Sequence, residues 1–221
     1  MHYVPTPAPR LGDLLFTDKP VIELESADIR YSISLVSVDN PYVFIDAASL
    51  GVRTQRELFA DDRQLSDTLA AVRSAAGRQL GLPHDGVFVK IAAIGQFHRG
   101  RLAVRAISVP NRHATLPLTG AICLGVATTL SGTIPYQLAR PRCMPAKLTI
   151  DTPQALTAVT VQVTGTDADD HLLSTSVTRK SAQKRCRSRW SVTRRSRRQQ
   201  SPTPHSTRRT MAPLPAATSD G

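Results

Sequence analysis

The 221-residue chain has few cysteines, and none of them are closely spaced. Cys123, Cys143 and Cys186 stand 20 and 43 residues apart, and their number is odd, so the sequence excludes a CxxC zinc framework and a disulfide scaffold. The first ten residues lack the basic region and the apolar stretch of a secretory signal. We therefore expect a protein that is not exported, with a cytoplasmic location as the prediction and a mitochondrial one left open.

A long uninterrupted apolar run is also missing. Residues 114–139 carry no charge, but Pro117 and Pro135 interrupt them, and the longest run of apolar residues and glycine is the eight residues of Gly120–Ala127. A membrane-spanning helix needs about 20 apolar residues. The segment is therefore interpreted as buried core, and no membrane partner is expected.

Acidic residues are nearly absent from the end of the chain. Residues 171–221 hold 12 Lys or Arg and one acid, Asp220, so they carry the whole net charge of +11, while the first 170 residues hold 16 of each sign. Residues 166–221 are rich in Arg, Ser and Pro and cannot bury enough apolar area to fold, which predicts a disordered basic tail. Three interpretations of this tail stay open: binding of nucleic acid or an import receptor through Arg-Arg-Ser-Arg-Arg, a solvated tail, and a stretch translated outside the ancestral reading frame.

Residue periodicity predicts a mixed fold between these ends. Residues 1–20 hold four of the 16 prolines and are expected to form an extended lead-in, followed by a folded lobe over 21–165. Apolar residues three or four apart predict a helix over Asp61–Leu80. Alternating or apolar stretches predict strands at Val21–Leu24, Ile29–Val38, Tyr42–Ile45, Val87–Ile94, Leu102–Val109, Lys147–Asp151 and Leu156–Val163. Short turns between strands favour antiparallel pairing, so the predicted class is α+β.

A second predicted helix has no polar face. Gly120–Leu130 carries apolar or small residues on every side, ends before Ser131-Gly132, and has Thr119 as its predicted N-cap. Such a helix must be enclosed all round, and the free N–H groups at its start favour an anion. His113 lies six residues before that cap. This end has two interpretations: an ordinary buried helix with an ordinary cap, which the residues alone favour, and a site for a small carboxylate.

Two further residues have two interpretations each. Asn40 before Pro41 either points its amide into a cleft or forms a common turn. Cys123 either transfers protons, because the helix dipole lowers its pKa, or is a small core residue, which is the interpretation favoured here. The sequence shows no Ser/His/Asp order, glycine-rich phosphate loop or metal-ligand spacing, so the catalytic residues stay unknown and no metal is expected.

Two segments resemble the PrpF family of aconitate-type isomerases. Residues 34–51, SLVSVDNPYVFIDAASLG, are similar to a family segment with Asn-Pro, an apolar strand and a Leu-Gly corner. His113-Ala114, then LTGAIC over 118–123 and SGT over 131–133, resemble the second family signature. The resemblance covers residues 10–163. It implies a lobe like that of diaminopimelate epimerase, in which a mostly antiparallel sheet is rolled around a central apolar helix.

The resemblance also implies a chemistry. The family moves a proton, without a cofactor, on small unsaturated di- or tricarboxylates such as methylaconitate, methylitaconate, aconitate or oxalomesaconate, giving cis–trans or double-bond isomers. The substrate-binding residues carried over from the family are Asn40, His113, Thr119, Gly120 and Ala121. A homo-oligomer is compatible with this resemblance.

The chain departs from the family in length. Members of the family are nearly twice as long, and the half that supplies the lysine and cysteine thought to transfer protons would precede Met1. The resemblance thus gives residues 1–20 a second interpretation, as a remnant of the connection between the two lobes. The family's closing strand and helix are replaced by the basic tail after about Gly165. The resemblance therefore implies a C-terminal half of a PrpF-like isomerase, truncated and weakly active or inactive by itself.

Overall fold

Ten strands join into one sheet in the computed structural model, which describes residues 1–81, 89–108, 111–112, 115–140, 146–165 and 167–181. The strands among these residues are β1 (His2–Tyr3), β2 (Ile22–Ser26), β3 (Ile29–Ser37), β4 (Pro41–Asp46), β5 (Lys90–His98), β6 (Arg101–Ser108), β7 (Asn111–Arg112), β8 (Ala146–Asp151), β9 (Ala155–Val163) and β10 (Leu172–Ser181). Their order in the sheet is β1-β10-β9-β8-β6-β5-β4-β3-β2, and β7 pairs with β6. All pairs are antiparallel except β4 with β5 and β6 with β8.

Four α-helices lie among the described residues: α1 (Gln55–Phe59), α2 (Arg63–Gln79), α3 (Leu118–Ala127) and α4 (Ile134–Ala139). Short 3-10 helices cover Gly12–Leu14 and Ala47–Leu50. Asp62 caps α2 by accepting from the amides of Gln64 and Leu65, which is the usual way to satisfy the free N–H groups of a helix start. No helix in the described part of the chain is long and apolar enough to span a membrane.

Two hydrophobic cores lie on opposite faces of the sheet. The outer core packs α1 and α2 on strands β2 to β6, with Leu58, Leu65 and Leu69 buried against residues such as Ile33 and Ile45. The inner core surrounds α3 with side chains from β3, β4, β5, β6, β8, β9 and β10. The predicted α+β lobe, with a largely antiparallel sheet rolled around a central apolar helix, is confirmed.

The central helix α3 is enclosed as its composition predicts. Every residue from Gly120 to Ala127 is buried, and the helix contacts β3 at one side of the roll and β8, β9 and β10 at the other. Small residues allow this approach, because a Cβ at position 125 would lie 2.5 Å from Cγ1 of Val159 and 3.0 Å from Cγ2 of Val161. The predicted enclosed helix over Gly120–Leu130 is therefore confirmed, although its observed bounds are Leu118–Ala127.

The chain ends differ from the prediction. Residues 1–20 are not a loose lead-in: Leu11 and Leu14 are buried, and the Leu11 amide donates to the Asp170 carbonyl at 2.6 Å. Leu172–Ser181 forms the strand β10, although the sequence predicted disorder from residue 166. The prediction was wrong there because the basic composition was averaged over the whole tail and hid a stretch that buries Leu172, Thr175 and Val177.

The other strands agree with the prediction within a few residues. The expected stretches at 87–88 and at Val109 lie outside the described residues, as do residues 182–221. Helices α1 and α4 were not predicted, because five or six residues are too short to show a helical period. A capping box at Thr54 and Glu57 was the available signal for α1.

The close contact at Gly125 gives a stability prediction. Gly125→Ala should lower the free energy of unfolding by about 1–3 kcal/mol, because the new methyl group collides with β9. Gly77→Ala in α2 is the matched control: a Cβ there meets nothing within 4 Å, so this variant should gain about 0.5–1 kcal/mol. Urea unfolding measures both, and equal effects of the two substitutions would contradict the enclosed helix.

Candidate functional site

An open cavity of about 220 Å³ lies at the N-terminal end of α3. Its lining residues are Met1, Tyr3, Val38, Asp39, Thr119 and Ile122. They come from β1 and the residue before it, from the loop that follows β3 and from the first two turns of α3. The cavity therefore joins the Asp-Asn-Pro corner to the start of the central helix, which were the two segments singled out in the sequence.

The start of α3 leaves backbone donors without partners inside the helix. Pro117 is the N-cap residue and makes no side-chain cap, and the first intrahelical bond runs from the Ala121 amide to the Pro117 carbonyl at 2.9 Å. The amides of the three residues 118–120 come before that bond and have no carbonyl four residues back within the helix. Free amides and the positive end of the helix dipole favour a negatively charged group at this end of the cavity.

Thr119 has a different role from the one predicted. The helix begins two residues earlier than the sequence indicated, so Thr119 is its second residue rather than its N-cap. Its side chain is exposed and lines the cavity. Thr119 was predicted as the N-cap because Thr often caps helices. Pro117, whose φ is restricted by its ring, takes the N-cap position instead, so the helix already begins at Leu118.

Gly120 allows the hydroxyl group of Tyr42 to approach the first turn of α3. A Cβ at position 120 would lie 2.5 Å from Oη of Tyr42 and 3.0 Å from Cδ1 of Leu116. Tyr42 is buried and stacks on Phe44 with ring centroids 5.5 Å apart. Burial, reinforced by Cys123, raises the pKa of Tyr42, so its phenol stays neutral near neutral pH. Sequence reasoning missed Tyr42, although it follows Asn40-Pro41 directly.

Cys123 is a core residue and not a reactive thiol. Its Sγ donates a hydrogen bond to the Val36 carbonyl at 3.3 Å, and 2% of the residue is exposed. Burial raises its pKa to about 12, with a smaller opposing effect from the Val38 amide. The favoured interpretation from the sequence is confirmed, because desolvation of the thiolate outweighs the helix dipole here.

The remaining carried-over residues contribute unequally to the cavity. Asn40 is half-buried in the loop between β3 and β4, and its Nδ2 donates to Oδ2 of Asp39 at 3.3 Å. Asp39, which the sequence reasoning did not single out, lines the cavity. Ala121 is fully buried, and its amide is bonded to Pro117. His113 lies outside the described residues, so its place in the site stays a prediction.

Arg179 brings a positive charge from β10 to the same end of α3. Its Nη2 donates a hydrogen bond to the carbonyl of Leu116, the residue before the N-cap. The sequence reasoning placed this arginine in the basic tail and missed it. Within the described ranges, no group of three or more His, Cys, Asp or Glu side chains could hold a metal ion.

A larger cavity of about 350 Å³ lies on the outer side of the sheet, beside the start of α2. Asp62 lines it and already accepts hydrogen bonds from the Gln64 and Leu65 amides. That helix start therefore carries its own carboxylate, which disfavours a bound anion. Of the two cavities, the smaller one at α3 is the better site for a carboxylate ligand.

Comparison with known proteins identifies the family of the chain. The family described as PrpF protein matches residues 2–187, so the chain belongs to the PrpF family. The curated protein "Putative isomerase YraM" of Bacillus subtilis (strain 168) is 26% identical over an alignment of length 150, and the match covers 58% of this chain and 41% of YraM.

Two crystal structures match about half of their own length to this chain. Methylitaconate-delta-isomerase matches with a TM-score of 0.62 and 21% identity, covering 76% of this chain and 49% of that one. A hydroxyproline epimerase from Agrobacterium vitis matches with a TM-score of 0.48 and 12% identity, covering 73% of this chain and 48% of that one. The chain thus spans about half the length of the relatives it matches. The first match confirms the predicted fold.

The buried thiol predicts how stability depends on pH. The pKa of Cys123 is raised from 9.0 to about 12 in the folded protein, so the unfolded chain releases this proton first as the pH rises. The contribution of Cys123 is complete below about pH 9 and is lost toward pH 12, with a slope of up to about 1.4 kcal/mol per pH unit. Burial of Tyr42 acts in the same direction above its ordinary pKa of 10.0.

Urea unfolding between about pH 7 and 11 measures this decline. Cys123→Ala is the control: it lowers stability by a constant amount at neutral pH and should show a shallower decline above about pH 9, because one ionising group is removed. Identical slopes for the two proteins would show that the thiol is not desolvated as the structure describes.

Proposed function

We propose that this lobe binds one carboxylate group of a small unsaturated di- or tricarboxylate at the start of α3, as part of an isomerase of the PrpF type. The observation that carries the proposal is the open cavity at an uncapped helix start, in a chain that belongs to the PrpF family. The fold shared with methylitaconate-delta-isomerase supports the same substrate class. Methylaconitate, methylitaconate, aconitate and oxalomesaconate are the candidates.

The proposed reaction moves one proton and needs no cofactor. A base removes a proton from the carbon next to the double bond, the electron pair of that C–H bond spreads through the double bond into a carboxylate, and a proton adds at another carbon. Negative charge therefore develops on the carboxylate oxygens. The free amides at residues 118–120 would stabilise this charge, because they are already oriented toward the cavity end of the helix.

The groups that transfer the proton are not provided by the buried side chains near the site. Cys123 stays protonated because of its raised pKa, and Tyr42 is likewise held neutral. Asp39 is the single residue with a carboxyl side chain among those that line the cavity. We therefore expect the lobe to bind the ligand and to turn it over slowly or not at all.

Titration of the labelled protein with aconitate tests the proposal by NMR. We expect the backbone amide signals of Thr119 and Gly120 to shift with a dissociation constant of about 0.1–1 mM, which corresponds to about −5.5 to −4.1 kcal/mol. The amides of Gln64 and Leu65 at the start of α2 are the internal control and should not move, because Asp62 occupies them. Sodium chloride at equal ionic strength should not reproduce the shifts. Unchanged signals at Thr119 and Gly120 would contradict the proposal.

Removal of a negative charge from the cavity wall gives a second prediction. Asp39→Asn removes a negative charge that opposes a carboxylate ligand, so affinity for aconitate should increase by about three- to tenfold. Asp67→Asn is the control, because Asp67 is exposed on α2 in a pair with Arg63 on the outer side of the sheet. Equal changes in affinity for both variants, measured in the same titration, would mean that the ligand responds to net charge and not to this cavity.

A further inference from the structure

The last described strand is tied to the first turn of the central helix by one side chain. Arg179 lies near the end of β10, opposite Thr157 of β9, and its Nη2 donates to the Leu116 carbonyl. The two residues are 63 positions apart in the chain. The bond therefore links the strand at one side of the sheet to the segment that leads into α3.

The position of Leu116 decides where the free amides of α3 lie. Leu116 is 1% exposed and precedes the N-cap residue Pro117. Its Cδ1 atom would lie 3.0 Å from a Cβ at Gly120, so its side chain packs directly on the first turn. A shift of the Leu116 backbone would consequently move the amides of residues 118–120, which are the proposed carboxylate donors.

Arg179 suits this role better than its neighbour in the strand. Side chains alternate between the two faces of a strand, so Arg179 shares the inner face of β10 with Thr175 and Val177, which are both buried. Lys180 projects from the opposite face. Both side chains are exposed, but it is Arg179 that donates to the Leu116 carbonyl. A guanidinium group also has five N–H donors in one plane, so one of them can bond the Leu116 carbonyl while the positive charge stays near the helix start.

We propose that Arg179 is a positioning residue of the carboxylate site, acting through the Leu116 carbonyl to hold the first turn of α3 in its binding geometry. The part of this proposal that concerns affinity rests on the proposed function. The part that concerns the geometry of α3 does not. Arg179 thereby belongs to the site and not to a basic tail that binds elsewhere.

Three variants of the full chain test the proposal: Arg179→Gln, Arg179→Lys and Lys180→Gln. Aconitate affinity should fall at least tenfold in Arg179→Gln, should be partly restored in Arg179→Lys because an ammonium group can still donate to one carbonyl, and should not change in Lys180→Gln. Amide signals of residues 118–120 should move in Arg179→Gln without ligand, while those of β4 and β5, which do not pair with β10, stay in place. A purely structural loss would instead disturb signals throughout the sheet.

The outcomes separate this proposal from the proposed function. Equal losses of affinity in Arg179→Gln and Lys180→Gln would overturn it, because charge alone would explain them. Unchanged affinity and unchanged amide signals in Arg179→Gln would also overturn it. If the unsubstituted protein binds no aconitate, the proposed function fails, and the ligand-free signals of residues 118–120 in the three variants then decide the role of Arg179. If Arg179→Gln does not fold, Arg179→Lys is compared with Lys180→Gln. Reduced affinity and moved signals of residues 118–120 in Arg179→Lys alone would support the proposal, and equal results for the two variants would overturn it.

Discussion

The close packing of one small-residue helix inside a rolled sheet determines the rest of this structure. Gly125 lies against Val159 and Val161 of β9, and Gly120 lies against Tyr42 of β4. These contacts leave no room for side chains at the two positions, so sheet and helix must approach as closely as their backbones allow. The strands on both sides of the roll are held in place by that approach.

Enclosure of α3 also decides where the lobe can meet a ligand. The body of the helix is covered on all sides, so its first turn is the part that faces an open cavity. Polar backbone groups buried without partners are costly, and the amides before the first intrahelical bond are satisfied best by solvent or by an anion at the cavity. The start of α2 shows the contrast, because Asp62 already serves as the anion there. The two helix starts thus have different chemistry for a reason that lies in their cap residues.

The two ends of the described lobe close the sheet together. β1 pairs with β10, and the Leu172 amide donates to the Pro9 carbonyl at 3.0 Å. Segments that look unsuited to a fold, one rich in proline and one basic, therefore form an edge of the sheet in contact with the inner core. Arg179 extends this closure to the start of α3 through its bond to Leu116. Composition describes a long segment by its average, whereas a strand of ten residues needs only a few inward side chains.

The sequence by itself determined the α+β class, most strand positions and the enclosed helix, because alternation of side chains and an uncharged small-residue run are local properties. It also suggested the first turn of that helix as a carboxylate site, which stays a proposal. Tertiary structure decided that Asp39 and not Asn40 lines the cavity, that Thr119 lies within the helix, and that Arg179 reaches its start. These facts depend on distances between residues far apart in the chain, which no local pattern records.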